Sequence, residues 1–136
     1  MRQYHSKNHF TFKIKYHIVF VCKYRKRLLK YQVDEDIKQI LFEIAKGNNK
    51  FEIELMESDK DHIHLMVNAC YDISSLQIVK LLKGKSTVEI WKLHPELKNH
   101  FWKENTFWTD GSFVCSIGDA SSETIQRYIE EQGKCY

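Results

Sequence analysis

The run Asp61-His62-Ile63-His64-Leu65-Met66-Val67 leaves the chain little choice of local structure. Apolar residues at 63, 65 and 67 carry the period of two of an extended strand, whose successive side chains point to opposite faces. Such a strand buries Ile63, Leu65 and Val67 on one side and presents His62 and His64 together on the other. The fold must therefore contain a sheet with one packed face and one face bearing two imidazoles. Two histidines so placed can grip one metal ion. They are an incomplete site, because a catalytic metal usually holds three protein ligands and an open position.

The remaining pattern supplies the rest of the sheet. Phe12, Ile14, Tyr16, Ile18 and Phe20 alternate with Lys13, Lys15 and His17, predicting a strand at about 11 to 22. From Val33, the positions Ile37, Ile40, Leu41 and Ile44 form a helical stripe with Asp34, Glu35 and Asp36 at its dipole-favoured start and Gly47 at its end. Phe51, Ile53 and Leu55 predict a second strand, joined through a turn at 58 to 61 to the histidine strand in a hairpin. Ser74 is a candidate cap for a second helix running to Trp91, with Gly84 weakening its middle. A turn at Trp108 to Gly111, a strand at Phe113 to Ile117 and a last helix containing Ile125 and Ile129 complete the chain. The order predicts an α+β fold of the ferredoxin-like or RRM-like βαββαβ type. It has a four-stranded antiparallel sheet, two helices on one face and an additional C-terminal helix.

At 136 residues, 43% apolar and with one proline, the chain is expected to be a single domain over 1–136 that needs no disulfide staple. Cys22, Cys70, Cys115 and Cys135 have no Cys-x-x-Cys spacing and are expected to be reduced thiols. The stretch from Met1 to Phe10 has no apolar run, and no segment approaches the ~20 apolar residues of a membrane span. The expectation is a cytoplasmic protein without a membrane partner. The net charge is only +3, but Lys23, Arg25, Lys26, Arg27 and Lys30 crowd together around Tyr24 and Tyr31. Basic residues interleaved with aromatics suit phosphates and stackable bases, and equally fit a solvated loop.

Tyr128 and Gln132, four apart in the last helix, would share one helical face and offer a phenol and an amide together. Alternatively Tyr128 joins Ile125 and Ile129 in a core stripe, leaving Gln132 exposed. Gly84-Lys85-Ser86 echoes the end of a phosphate-binding loop, but the required earlier glycine is Val79 and the segment follows a helix, so nucleotide hydrolysis is not expected.

Taken in order, Lys15-Tyr16-His17-Ile18-Val19-Phe20 running into Lys23-Tyr24-Arg25-Lys26-Arg27, then Asp61-His62-Ile63-His64-Leu65, Leu82-Lys83-Gly84-Lys85-Ser86, Phe107-Trp108 to Phe113 and Tyr128-Ile129-Glu130-Glu131-Gln132 resemble the HUH-type single-tyrosine transposases, the TnpA family of the smallest bacterial insertion sequences. The resemblance covers nearly the full length. It implies a single HUH transposase domain that cuts and rejoins single-stranded DNA through a 5′-phosphotyrosine, next to hairpins near the element's ends. By resemblance the nucleophile is Tyr128, and the ligands of a divalent metal, Mg²⁺ or Mn²⁺, are His62, His64 and Gln132. Lys13, Lys15, Tyr24, Arg25, Lys26, Arg27, Lys83 and Lys85 are the candidate DNA contacts. Family members act as homodimers in which one subunit's tyrosine helix completes the other's site. This chain ends at Tyr136, close behind Gln132, where many relatives continue, so cis and trans placement of Tyr128 both stay open. The alternative reading is a domesticated, non-cutting protein of this descent that only binds DNA or RNA hairpins.

Overall fold

A computed structural model of the chain describes residues 2–3, 14–100, 106–116, 127 and 129–130. Three long strands and a short one form the antiparallel sheet: β2 (Ile14–Val21), β3 (Phe51–Asp59), β4 (His62–Ala69) and β5 (Phe113–Ser116). A two-residue strand, β1 (Arg2–Gln3), adds a fifth member, and the order is β1-β3-β4-β2-β5. The βαββαβ expectation therefore holds, with one addition. β1 pairs with Met56 and Leu55 of β3, covering an edge that would otherwise present unpaired backbone groups.

Helix α1 spans Tyr31–Lys46, starting two residues before the predicted Val33, and buries Ile37, Leu41 and Ala45. Helix α2 spans Ser75–Leu93 and is capped as the sequence suggested. Ser74 Oγ accepts from Gln77 N (3.0 Å), and Gln77 Oε1 accepts from Ser74 N (2.9 Å), a reciprocal capping box. Gly84 does not break α2. A Cβ placed there would meet nothing within 4 Å, so the position is open surface.

Both helices cover one face of the sheet. Ile18 and Phe20 of β2, Ile53 and Met56 of β3, and Ile63, Leu65 and Val67 of β4 pack with Ile37, Leu41, Ile78, Leu82 and Ile90 in one core. The β3–β4 turn is the two residues Lys60 and Asp61, since Asp59 pairs with His62. The register sets Val21 opposite His62 and Val19 opposite His64, placing these four residues on the other face.

The segment before β5 is fastened to α2. Trp108 is fully buried and its Nε1 donates to Ser86 Oγ (2.9 Å), while Phe107 N donates to Thr87 Oγ1 (3.3 Å). Lys83 Nζ donates to the carbonyl oxygens of Thr109 (2.6 Å), Asp110 (3.2 Å) and Gly111 (2.9 Å). The stretch that echoed a phosphate loop thus lies in mid-helix, where Ser86 and the preceding Lys83 hold the segment before β5. Cys22 and Cys70 are free thiols, and burial pushes the Cys22 thiol well above its ordinary range.

Candidate active site

The second face of the sheet is built from β2 and β4. His62 and His64 are partly buried, with ring centroids 5.0 Å apart in a T-shaped arrangement. His17 of β2 stands on the same face, and its Nε2 lies 3.2 Å from His64 Nδ1. Beside them is a cavity of ≈ 140 Å³ lined by His17, Leu55, Glu57, His64, Leu65 and Met66.

Asp61, the residue before the pair, connects it to the basic segment. Its Oδ1 accepts from His62 Nδ1 (2.7 Å) and its Oδ2 accepts from Arg25 Nε (2.7 Å). Burial pushes the Asp61 pKa up, but the hydrogen bonds from His62 and Arg25 outweigh it and the net shift is downward. The carboxylate is therefore the acceptor and His62 Nδ1 carries a proton. At His64 burial is the largest influence, reinforced by His62 and His17 and opposed by Glu57, and the pKa falls to about 4. His64 is a neutral imidazole near pH 7.

The basic segment folds against this corner. Cys22 N donates to Asp61 O (2.9 Å) and Leu29 N donates to Lys60 O (2.9 Å), tying both of its ends to the β3–β4 turn. Tyr24 (φ 58) and Arg25 (φ 55) take left-handed backbone conformations, uncommon for side chains of this size. Tyr24 and Arg27 are exposed, Arg25 and Lys26 partly so. Lys15, exposed on the histidine face, pairs with Glu54 (3.1 Å).

Two of the predicted DNA contacts lie elsewhere. Lys85 is exposed on α2, beside a groove of ≈ 840 Å³ between α1 and α2, on the side of the sheet away from the histidines. Lys83 is engaged by three carbonyl oxygens, as many as an ammonium has protons, which corrects its reading as a phosphate contact. Burial lowers its pKa to about 8, with Asp110 opposing and Lys23 adding to the shift.

Lys13, Tyr128 and Gln132 fall outside the described residues. Their neighbours are informative. Arg127, Ile129 and Glu130 have helical backbone, and buried Ile129 packs in a small cluster with Val19 and Val21, with Phe113 against it. Val19 and Val21 are the cross-strand partners of His64 and His62. Sequence reasoning assigned no role to His17 or Asp61. Asp61 stood inside the motif and could have been read as a carboxylate partner for a ligating histidine, whereas His17 is brought to His64 by a cross-strand register that its own strand does not encode.

Residues 10–132 match the family model described as transposase IS200 like. The chain belongs to the IS200-like transposase family. It is 32% identical over 123 residues to the ISDra2 transposase TnpA of Deinococcus radiodurans, a match covering 90% of this chain and 86% of that one. It is 29% identical over 126 residues to the transposase for insertion sequence element IS200 of Salmonella typhimurium, covering 91% and 80%. A crystal structure of a candidate transposase from Deinococcus radiodurans superimposes with TM-score 0.81 at 29% identity, over 95% of this chain and 98% of that one. A REP-associated tyrosine transposase solved with a REP hairpin shares the fold at TM-score 0.54 and 13% identity, over 96% of this chain and 69% of that one.

Among the described residues, no group of three or more His, Cys, Asp or Glu side chains is arranged to hold a metal ion, and no helix is long and apolar enough to cross a membrane. The donor chemistry nonetheless suits a divalent ion in part. His62 and His64 each have Nδ1 engaged, and their Nε2 atoms make no hydrogen bond among the described residues.

Proposed function

We propose that this transposase cuts and rejoins single-stranded DNA through a covalent bond to Tyr128, with His62, His64 and Gln132 as the ligands of a Mg²⁺ or Mn²⁺ ion. The observation that carries the reading is the packing of Ile129 on Val19 and Val21, the strand partners of the two histidines. That contact supports a site in which the segment bearing Tyr128 meets the histidine face of its own chain, within one single-domain HUH unit. Family membership supports the DNA chemistry.

In this mechanism the Tyr128 oxygen attacks the scissile phosphorus. A P–O(Tyr) bond forms as the P–O3′ bond breaks, leaving a 5′-phosphotyrosine and a free 3′-hydroxyl. Attack by another 3′-hydroxyl reverses the exchange, so the phosphodiester energy is kept and no external source is needed. A phenol has pKa ≈ 10 in water, so Tyr128 gives up its proton during attack. When bound, a divalent ion supplies Lewis acidity at a non-bridging phosphate oxygen and orients the phosphate for in-line displacement. His62 and His64 hold their places through Asp61 and the sheet.

The substrate reaches the site over the basic segment. Tyr24, Arg25, Lys26 and Arg27, with Lys15 and Lys13, form the DNA surface, because the tie between Arg25 and Asp61 sets that segment beside His62. DNA hairpins near the element's ends are the proposed recognition feature, consistent with a protein of the same fold having been solved with a hairpin. The working unit is a homodimer whose tyrosines act in cis.

The test is to mix the protein with single-stranded DNA from the ends of its own element and Mn²⁺. A denaturation-resistant protein–DNA adduct is expected, absent from Tyr128→Phe and His64→Ala. Equal adduct from Tyr128→Phe would overturn the assignment.

A further inference from the structure

His17 stands on the histidine face without a place in the proposed chemistry. It is not a third metal ligand for the pair, because its Nε2 faces His64 Nδ1, the nitrogen opposite the free Nε2. Two imidazole nitrogens 3.2 Å apart share one proton, one ring donating and the other accepting. The direction of that bond decides what His64 can do. If His17 donates, His64 accepts at Nδ1, and a neutral His64 then carries its proton on Nε2 and cannot ligate there. If His64 donates from Nδ1, its Nε2 lone pair is free.

The neighbouring ligand offers a comparison. His62 has its Nδ1–H bound by a carboxylate, Asp61, which is itself held by Arg25, an arrangement that in the neutral ring leaves the lone pair on Nε2. His64 lacks a carboxylate at Nδ1 and has His17 in that place. We propose that His17 is a positioning residue for the metal site: as a neutral acceptor at Nε2 it holds His64 in the Nδ1–H tautomer and aims Nε2 outward, the part Asp61 plays for His62. This rests on the assignment of His62 and His64 as ligands. An outer partner of this kind typically accounts for about 10- to 100-fold in metal affinity.

Two measurements on the full chain test it. Long-range ¹H–¹⁵N spectra of the metal-free protein read the tautomer of each imidazole directly. His64 is expected to be protonated on Nδ1, and a His64 ring protonated on Nε2 overturns the proposal without any variant. Mn²⁺ titration followed by water-proton relaxation is the second. His17→Leu is expected to weaken Mn²⁺ binding about 10- to 100-fold. His17→Gln, whose amide oxygen still accepts from Nδ1–H, is expected to stay within about threefold of the parent protein, an outcome a loss of packing alone would not produce. Undiminished affinity in a folded His17→Leu, or equal losses in both variants, overturns it. If the parent chain binds no Mn²⁺ at all, the ligand assignment fails instead, and the tautomer of His64 still decides the role of His17.

Discussion

His64 and Leu65 are neighbours on one strand and belong to opposite environments. Leu65 is fully buried among aliphatic side chains of the sheet and two helices, where close packing tolerates no polar atom without a partner. His64 stands on the other face, partly exposed and touching another imidazole. The helix face is thick and self-sufficient. The histidine face has only the small cluster of Val19, Val21 and Ile129 among its described buried residues. The difference teaches that one face of β4 makes the fold stable while the other is free to carry reactive groups that contribute little to stability.

The sharpest way to break that division is to change the two neighbours separately. Leu65→Ala should cost about 2–5 kcal/mol by urea unfolding, since it removes a buried side chain and leaves a cavity. His64→Ala should abolish adduct formation while changing unfolding by less than about 1 kcal/mol. Comparable destabilisation by both would mean that the histidine face is structural too.

A second comparison sets the α2 motif against the basic segment. Ser86→Ala strands the Trp108 indole N–H in the core and should cost about 1–3 kcal/mol, with DNA affinity of the folded fraction unchanged. Arg27→Ala should do the reverse, lowering DNA affinity and its salt dependence in fluorescence anisotropy with little effect on stability.

Gly84→Ala probes the helix face at its surface. With nothing near the missing Cβ, the substitution should stabilise α2 by about 0.5–1 kcal/mol and leave adduct yield unaltered. The smallest effect is expected from pH. The hydrogen bond from His94 (2.6 Å), helped by one from Gln32, holds the Asp36 carboxyl below its ordinary range. A depressed carboxylate pKa contributes stability that is present above the unfolded value near 3.8 and is lost as pH falls through the folded value. Asp36→Asn should therefore lower the urea midpoint at pH 6 but not at pH 2.5.

Much of the packed face was legible in the sequence, because burial writes itself as periodicity. The alternation around Ile63, Leu65 and Val67 and the stripe of Ile37, Leu41 and Ile44 each name a face without reference to anything distant. The Ser74 cap was legible for the same reason, being local chemistry. What depended on distance was hidden. Lys83 reads as a free cation until Thr109, Asp110 and Gly111 fold over it, and His17 reads as strand alternation until the register brings it to His64. The short β1 carries no pattern at two residues. Tyr128 and Gln132 rest on a spacing and a family likeness, with Ile129 between them as a buried contact among the described residues.

The central claim is that the histidine face and the Tyr128 segment form one reaction centre. Protease digestion and mass spectrometry of the protein–DNA adduct formed with Mn²⁺ tests it most directly. A nucleotide-bearing peptide modified at Tyr128 is expected, missing when His62 and His64 are both alanine. Modification at Tyr136 or another residue, or an adduct at Tyr128 that persists without the histidines, would contradict it.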